Sequence, residues 1–192
     1  MWTKAQQDLH SRMRELGVAA NDASDPMARL AAGGVLGLCL AAEHGGGGHD
    51  LVTTAYAFEG LGYSFGDDGL LLAVGAHLFG VACAIQRMGG EATRWLPQLA
   101  SGDVIATVAA TELESGSDVS AVSATIGATA SGSKRYVSYA DRAGLFLFLG
   151  RNSGGRGLSV ALLARGETIA VGEPYDTIEL GSARLAPAEF SA

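Results

Sequence analysis

Near residue 104 the apolar pattern of this chain changes period, and that change limits its possible folds more than any single motif. Before it, apolar residues recur at helical spacing, with Leu9, Met13 and Leu16 marking one face of a segment over 6–16. Asp25-Pro26 has the form of an N-cap followed by proline in the first turn, opening a helix toward Gly33-Gly34. Asp50 caps a further helix whose Leu51, Ala55, Phe58 and Leu61 define an apolar face. Residues 70–88 are apolar nearly all round and belong at the centre of a bundle, followed by a short helix over 91–96 that Pro97 stops. After the switch come short strand-like runs at 104–111, 119–126, 134–139, 145–150, 158–164, 168–171 and 175–180. Turn residues such as Arg151-Asn152-Ser153-Gly154-Gly155 separate several of them. Helices first and strands afterwards predict an α+β chain: an N-terminal α-helical domain over 1–103 and a β-barrel of about seven strands over 104–192.

The 192 residues are 48% hydrophobic and 17% charged, enough apolar material for a real core. A net charge of −7 with no Lys/Arg cluster excludes a nucleic-acid footprint. The apolar stretch 70–85 falls short of the ~20 residues a bilayer span needs, so no membrane span is expected. Cys39 and Cys83 both lie among apolar residues, as free core thiols of a cytoplasmic protein would. His10, His44, His49 and His77 lack metal-ligand spacing, and no metal site is expected. Gly45–Gly48 following an apolar run could pass for a phosphate loop. Strands and helices do not alternate around it, so these glycines are read as a tight connection between helices.

Two stretches carry chemical interest. Thr111-Glu112-Leu113-Glu114-Ser115-Gly116-Ser117-Asp118 offers hydroxyls and a glycine that lets backbone donors approach an anion. Read blandly, it is a surface turn, with Asp118 stabilising it and Glu112 and Glu114 solvated or locally paired. In Lys134-Arg135-Tyr136-Val137-Ser138-Tyr139, strand alternation puts Tyr136 and Ser138 on one face, where a ring and a hydroxyl could border a flat heteroaromatic. The bland alternative is an aromatic belt on a barrel strand.

Together these stretches resemble the acyl-CoA dehydrogenase family, and the resemblance extends over nearly the whole chain. Ala42-Glu43-His44-Gly45-Gly46 is similar to a loop between family helices, Phe58-Glu59-Gly60-Leu61-Gly62 to the next helix, and residues 89–103 to the segment leading into the barrel. The resemblance implies a helical domain and a barrel that grip FAD. It implies Val108, Ala110 and Thr111 beside the flavin pyrimidine edge, and Gly116 and Ser117 at the pyrophosphate, with Ser117 also near the acyl thioester. Tyr136, Val137 and Ser138 would border the isoalloxazine, Ser138 standing for a family threonine. Chemistry in the family is α,β-desaturation of an acyl thioester: a glutamate removes the α-proton and hydride leaves for the flavin.

Departures qualify the expectation. Leu113 replaces a family proline, Tyr136 a tryptophan, and the connection from Asp118 to Gly132 is short. The sequence holds no counterpart of the family's C-terminal helical domain, which carries the glutamate base, and none of Glu43, Glu59, Glu112 or Glu114 aligns with that base. No catalytic residue is therefore assigned. The expected role is a half-subunit of a split dehydrogenase, acting on an acyl thioester of CoA or a carrier protein. Its base would come from a partner chain in a hetero-oligomer. The alternatives are a non-catalytic structural or regulatory subunit, or a component of a related flavin monooxygenase.

Overall fold

Side-chain oxygens set where the helices of the first half begin. In the computed structural model, which describes residues 1–166, 168–173 and 185–191, Thr3 and Gln6 form a capping box at the start of α1 (Lys4–Asn21). Asp25, Asp50 and Asp67 accept backbone N–H bonds at the starts of α2 (Pro26–Ala32), α3 (Leu51–Gly62) and α4 (Asp68–Gly75). Each cap satisfies a donor that the helix itself cannot. Replacing the α3 cap, Asp50→Ala, is expected to cost about 1 kcal/mol in urea denaturation.

α4 runs on through a π-helical segment (Ala76–Ala82) into α5 (Cys83–Met88). The resulting helix, Asp68–Met88, has 21 residues and is long and apolar enough to cross a membrane by length and composition. The expectation that this segment is too short therefore fails. Its Leu70, Val74, Leu78, Val81 and Ile85 are buried in the first unit, as in a core helix. A 3₁₀ segment, Gly90–Trp95, leads into α6 (Leu96–Ser101). Pro97 sits in the first turn of α6 and so helps to start a helix rather than stop one, because its missing N–H would have had no helical partner there.

The expected core face of α3 is also corrected. Leu51 is 56% exposed, and the buried side of the helix is Thr53, Thr54, Ala57, Gly60 and Leu61. A Cβ on Gly60 would lie 2.5 Å from the His10 carbonyl oxygen, so this glycine is what lets the two helix backbones approach. Close packing through small residues rotates Leu51 and Ala55 away from α1. They line a hollow of ≈ 640 Å³ together with Phe79, Ala84 and the two cysteines. Those cysteines are not free thiols: Cys39 and Cys83 form a disulfide, with Cα atoms 6.3 Å apart, within the span of such a bond. The turn following Gly37 delivers Cys39 to the start of α5.

The glycine loop makes its bonds inward. The amides of Gly45, Gly46, Gly47 and Gly48 donate to the carbonyls of Ala42, Ala41, Gly37 and Leu40. A Cβ on Gly46 would lie 2.1 Å from the Leu40 oxygen. The loop is a packing device, and these amides are already engaged.

Two compact units, Met1–Val104 and Ile105–Ala192, divide the chain. The second is a mixed β-sheet. β4 (Leu145–Asn152) runs parallel to β1 (Ala106–Ala109) and β2 (Thr125–Ile126) and antiparallel to β5 (Leu158–Ala164). β3 (Ala130–Ser138) pairs antiparallel with β2 and with β7 (Leu185–Ser191), and β7 pairs with β6 (Ile169–Val171). Phe146, Phe148 and Phe190 form the aromatic centre of the core, with ring centroids 4.7 Å apart for Phe148–Phe190. The expected strand over 119–126 shrinks to a 3₁₀ turn at Val119–Ala121 and the two residues of β2. β3 begins at Ala130, four residues before the expected 134. The strand expected over 175–180 lies outside the described residues, and β7 (Leu185–Ser191) is a strand the sequence pattern did not mark.

Candidate functional site

The loop after β1 is tied down at one end and open at the other. Glu112 N–H donates to the Ser115 carbonyl at 2.7 Å, and the Ser115 hydroxyl donates to the Asp118 carbonyl at 2.8 Å. Asp118 accepts from the Ser120 hydroxyl and amide, which hold its carboxyl below the usual range. That makes it the cap of the next turn. The amides of Leu113, Glu114, Gly116 and Ser117 donate to no acceptor among the described residues. Gly116 and Ser117 are exposed, and a Cβ on Gly116 would meet nothing within 4 Å. The bend thus presents several unused donors beside open space, which suits an anionic group.

Across from it, β3 is bulged. Its register with β7 shifts between Lys134 and Val137, and Tyr136 adopts φ 53°, a left-handed conformation uncommon outside glycine. The bulge absorbs one residue, so Lys134 and Val137 both face inward. Simple alternation would have put Lys134 beside Tyr136 on the outer face. Tyr136 is 47% exposed, Ser138 is half-buried, and Val137 lies in the core with its side chain turned away from solvent. Of Val137, then, only the backbone can border a ligand. The Thr107 hydroxyl donates to the Ser138 carbonyl at 2.7 Å, fixing this end of β3 to β1.

Beneath loop and bulge lies a buried ion pair. Lys134 is fully buried and Glu112 nearly so; their Nζ–Oε1 distance is 2.7 Å. Lys134 also donates to the Ala110 carbonyl at 3.0 Å, and Glu112 accepts from Ser123 and Ala124. Burial pushes the Glu112 pKa up, but Lys134 and the Ser123 and Ala124 donors together outweigh it and hold it at about 2. Burial lowers the Lys134 pKa against the opposing pull of Glu112. The sequence alone marks Glu112 as solvated or locally paired and assigns Lys134 no role. Both carry structure at the centre of the candidate site.

The outer face of the sheet supplies the apolar element. Val108 pairs with Leu147, and Leu147 with Leu162, so these three form one row on one face. Val160, paired with Leu149, is 47% exposed. Their neighbours Phe146 and Phe148 point the other way, into the core. Val108 therefore sits at the border of a half-exposed apolar surface, with Ala110 and Thr111, both half-buried, leading from it into the loop.

A helical unit is followed by a mixed sheet that carries an anion-suited bend beside a flat apolar face. The chain belongs to the acyl-CoA dehydrogenase family: residues 3–103 match the acyl-CoA dehydrogenase N-terminal domain. It is similar to L-prolyl-[peptidyl-carrier protein] dehydrogenase of Pseudomonas fluorescens, 38% identical over 113 residues, covering 58% of this chain and 30% of that protein. Among solved structures, the prolyl acyl carrier protein oxidase AnaB superposes with a TM-score of 0.90 at 25% identity, covering 99% of this chain and 56% of that one. An FAD-dependent dehydrogenase superposes at 0.89 with 30% identity, covering 99% and 55%. The chain thus spans about half the length of these solved structures and 30% of the curated relative.

Proposed function

We propose that this chain is the FAD-holding half of a split acyl-thioester dehydrogenase that desaturates its substrate between the α and β carbons. The carrying observation is the pairing of unused backbone donors at Gly116 and Ser117 with the apolar row through Val108. These suit the two ends of one cofactor, an anionic pyrophosphate and a flat ring. In this reading Gly116 and Ser117 hold the pyrophosphate, Ser117 reaching the thioester as well. Val108, Ala110 and Thr111 border the pyrimidine edge, while Tyr136, Ser138 and the Val137 backbone flank the ring. FAD, when bound, supplies the hydride acceptor. The protein orients the acyl thioester against it and keeps water from the apolar face.

The base that removes the α-proton comes from a second polypeptide bearing the C-terminal helices. Glu112 is the buried carboxylate of the described site, and its oxygens are already engaged by Lys134, Ser123 and Ala124. Exposed Leu158 and Val160 on the sheet give such a partner apolar surface to cover. A prolyl thioester on a carrier protein is the first substrate to test, because two similar proteins bear that substrate in their names. Free FAD is titrated into the purified chain, alone and mixed with a candidate C-terminal polypeptide, and prolyl-carrier and acyl-CoA thioesters are then offered to the pair. Flavin uptake with desaturation by the pair alone supports the reading; a pair that takes up no flavin and desaturates neither thioester defeats it.

Gly116 provides a separate check. Gly116→Ala is expected to leave the melting temperature unchanged, since the added methyl meets open space in the protein. It should weaken FAD binding about tenfold, about 1.4 kcal/mol, because the added methyl would hold the pyrophosphate away from the Gly116 and Ser117 amides.

A further inference from the structure

An ion pair withdrawn from water is a poor way to stabilise a sheet, since apolar residues of like volume serve as well or better. What the Glu112–Lys134 pair does, and an apolar pair could not, is fix distances between backbone segments. Lys134 reaches the Ala110 carbonyl at 3.0 Å, and its ammonium lies 5.0 Å from the centre of the Phe148 ring. Arg135 N–H donates to the Thr111 carbonyl at 2.8 Å. On the far side, Glu112 takes the Ser123 amide at 2.7 Å and the Ala124 amide at 3.0 Å. One buried pair therefore joins the end of β1, the bend, the segment before β2 and the bulge of β3.

The bulge gives independent support. Tyr136 is held at φ 53° two residues after Lys134, and a bulky residue stays in that region only where its surroundings leave no alternative. The Lys134 side chain and the Arg135–Thr111 bond are the fixed points that precede it. Neither side chain faces the outer surface, so neither competes for a ligand.

We infer that Glu112 and Lys134 are positioning residues: their ion pair fixes how the Ala110–Thr111 edge and the bend after it are placed against the bulged Tyr136–Ser138 strand. The identity of the ligand these segments border rests on the flavin reading above; the positioning itself does not. The test compares the full chain with the Glu112→Gln/Lys134→Met double variant, which removes both charges at similar volume. Native-state amide exchange at Glu112, Ala124 and Arg135 is expected to rise about tenfold or more while the β4–β5 ladder keeps its protection. FAD titration should show binding weakened by about tenfold and a blurred visible flavin band, with the melting temperature recorded alongside. A pair that merely stabilised the fold would shift the melting temperature and leave the bound flavin spectrum as it was.

Unchanged exchange at those amides overturns the inference. So does faster exchange accompanied by the parental FAD affinity and spectrum. If the parent chain takes up no FAD with or without a partner, the flavin reading falls, and the exchange comparison still decides whether the pair holds these segments in place. Should the double variant fail to fold, Glu112→Gln alone keeps an oxygen toward Lys134 and is judged by the same two measurements.

Discussion

Lys134→Met alone is expected to cost about 3–5 kcal/mol, because it leaves the Glu112 carboxylate buried without its cation. A typical domain is stable by only ~5–15 kcal/mol, so the single variant should lie close to unfolding. The double variant with Glu112→Gln should recover most of the loss, since no charge is then left stranded and the Ser123 and Ala124 donors still face a side-chain oxygen. The order of stabilities, parent, double, single, is the diagnostic result. A single variant as stable as the double would mean that Glu112 finds water or another cation, and the pair would lose its standing as a buried unit. Both tryptophans, Trp2 and Trp95, belong to the first unit. The second unit must therefore be followed by far-UV circular dichroism rather than tryptophan emission.

The second large effect is acid sensitivity of the helical unit. His77 lies in the π-helical segment with no exposed surface, its Nε2 3.1 Å from the Leu99 carbonyl and the Leu36 carbonyl also facing the ring. Burial lowers its pKa from 6.5 to about 4, outweighing the two carbonyls that favour the proton. The unfolded chain thus takes up this proton before the folded one does. Stability is greatest above pH 6.5 and is lost as the pH falls toward 4. The loss over that window is about 3 kcal/mol. Glu112, held at about 2 against an ordinary 4.5, loses its contribution only at lower pH, so the upper part of the window belongs to His77. Urea titrations followed by Trp95 emission should show the slope in the parent and a flat profile in His77→Gln. An equal slope in both would assign the effect to another group.

Local signals in the sequence translated directly into structure. A proline after Asp25 and an aspartate before Leu51 act within one turn of chain, and both begin helices as expected. The change of period near residue 104 likewise marks where helices give way to strands. Contacts made at a distance were the unreadable part. The apolar periodicity of α3 points to the wrong face because Gly60, not hydrophobicity, decides which side meets α1. The burial of Lys134 is not legible in the sequence because a one-residue bulge displaces strand alternation and its partner stands 22 residues earlier. Apolar flanks around Cys39 and Cys83 fit a buried thiol and a buried disulfide equally well; only the folded path brings them together. The family resemblance singles out Thr111, Gly116, Ser117, Tyr136 and Ser138 as candidates, while the Glu112–Lys134 frame around them is visible only in three dimensions.

The Cys39–Cys83 bond makes a covalent ring of residues 39–83, enclosing the glycine loop, α3 and α4. One protease cut inside that ring leaves both products on a single molecule. A nicked preparation would therefore migrate as one band on a nonreducing gel and separate into fragments only after thiol treatment.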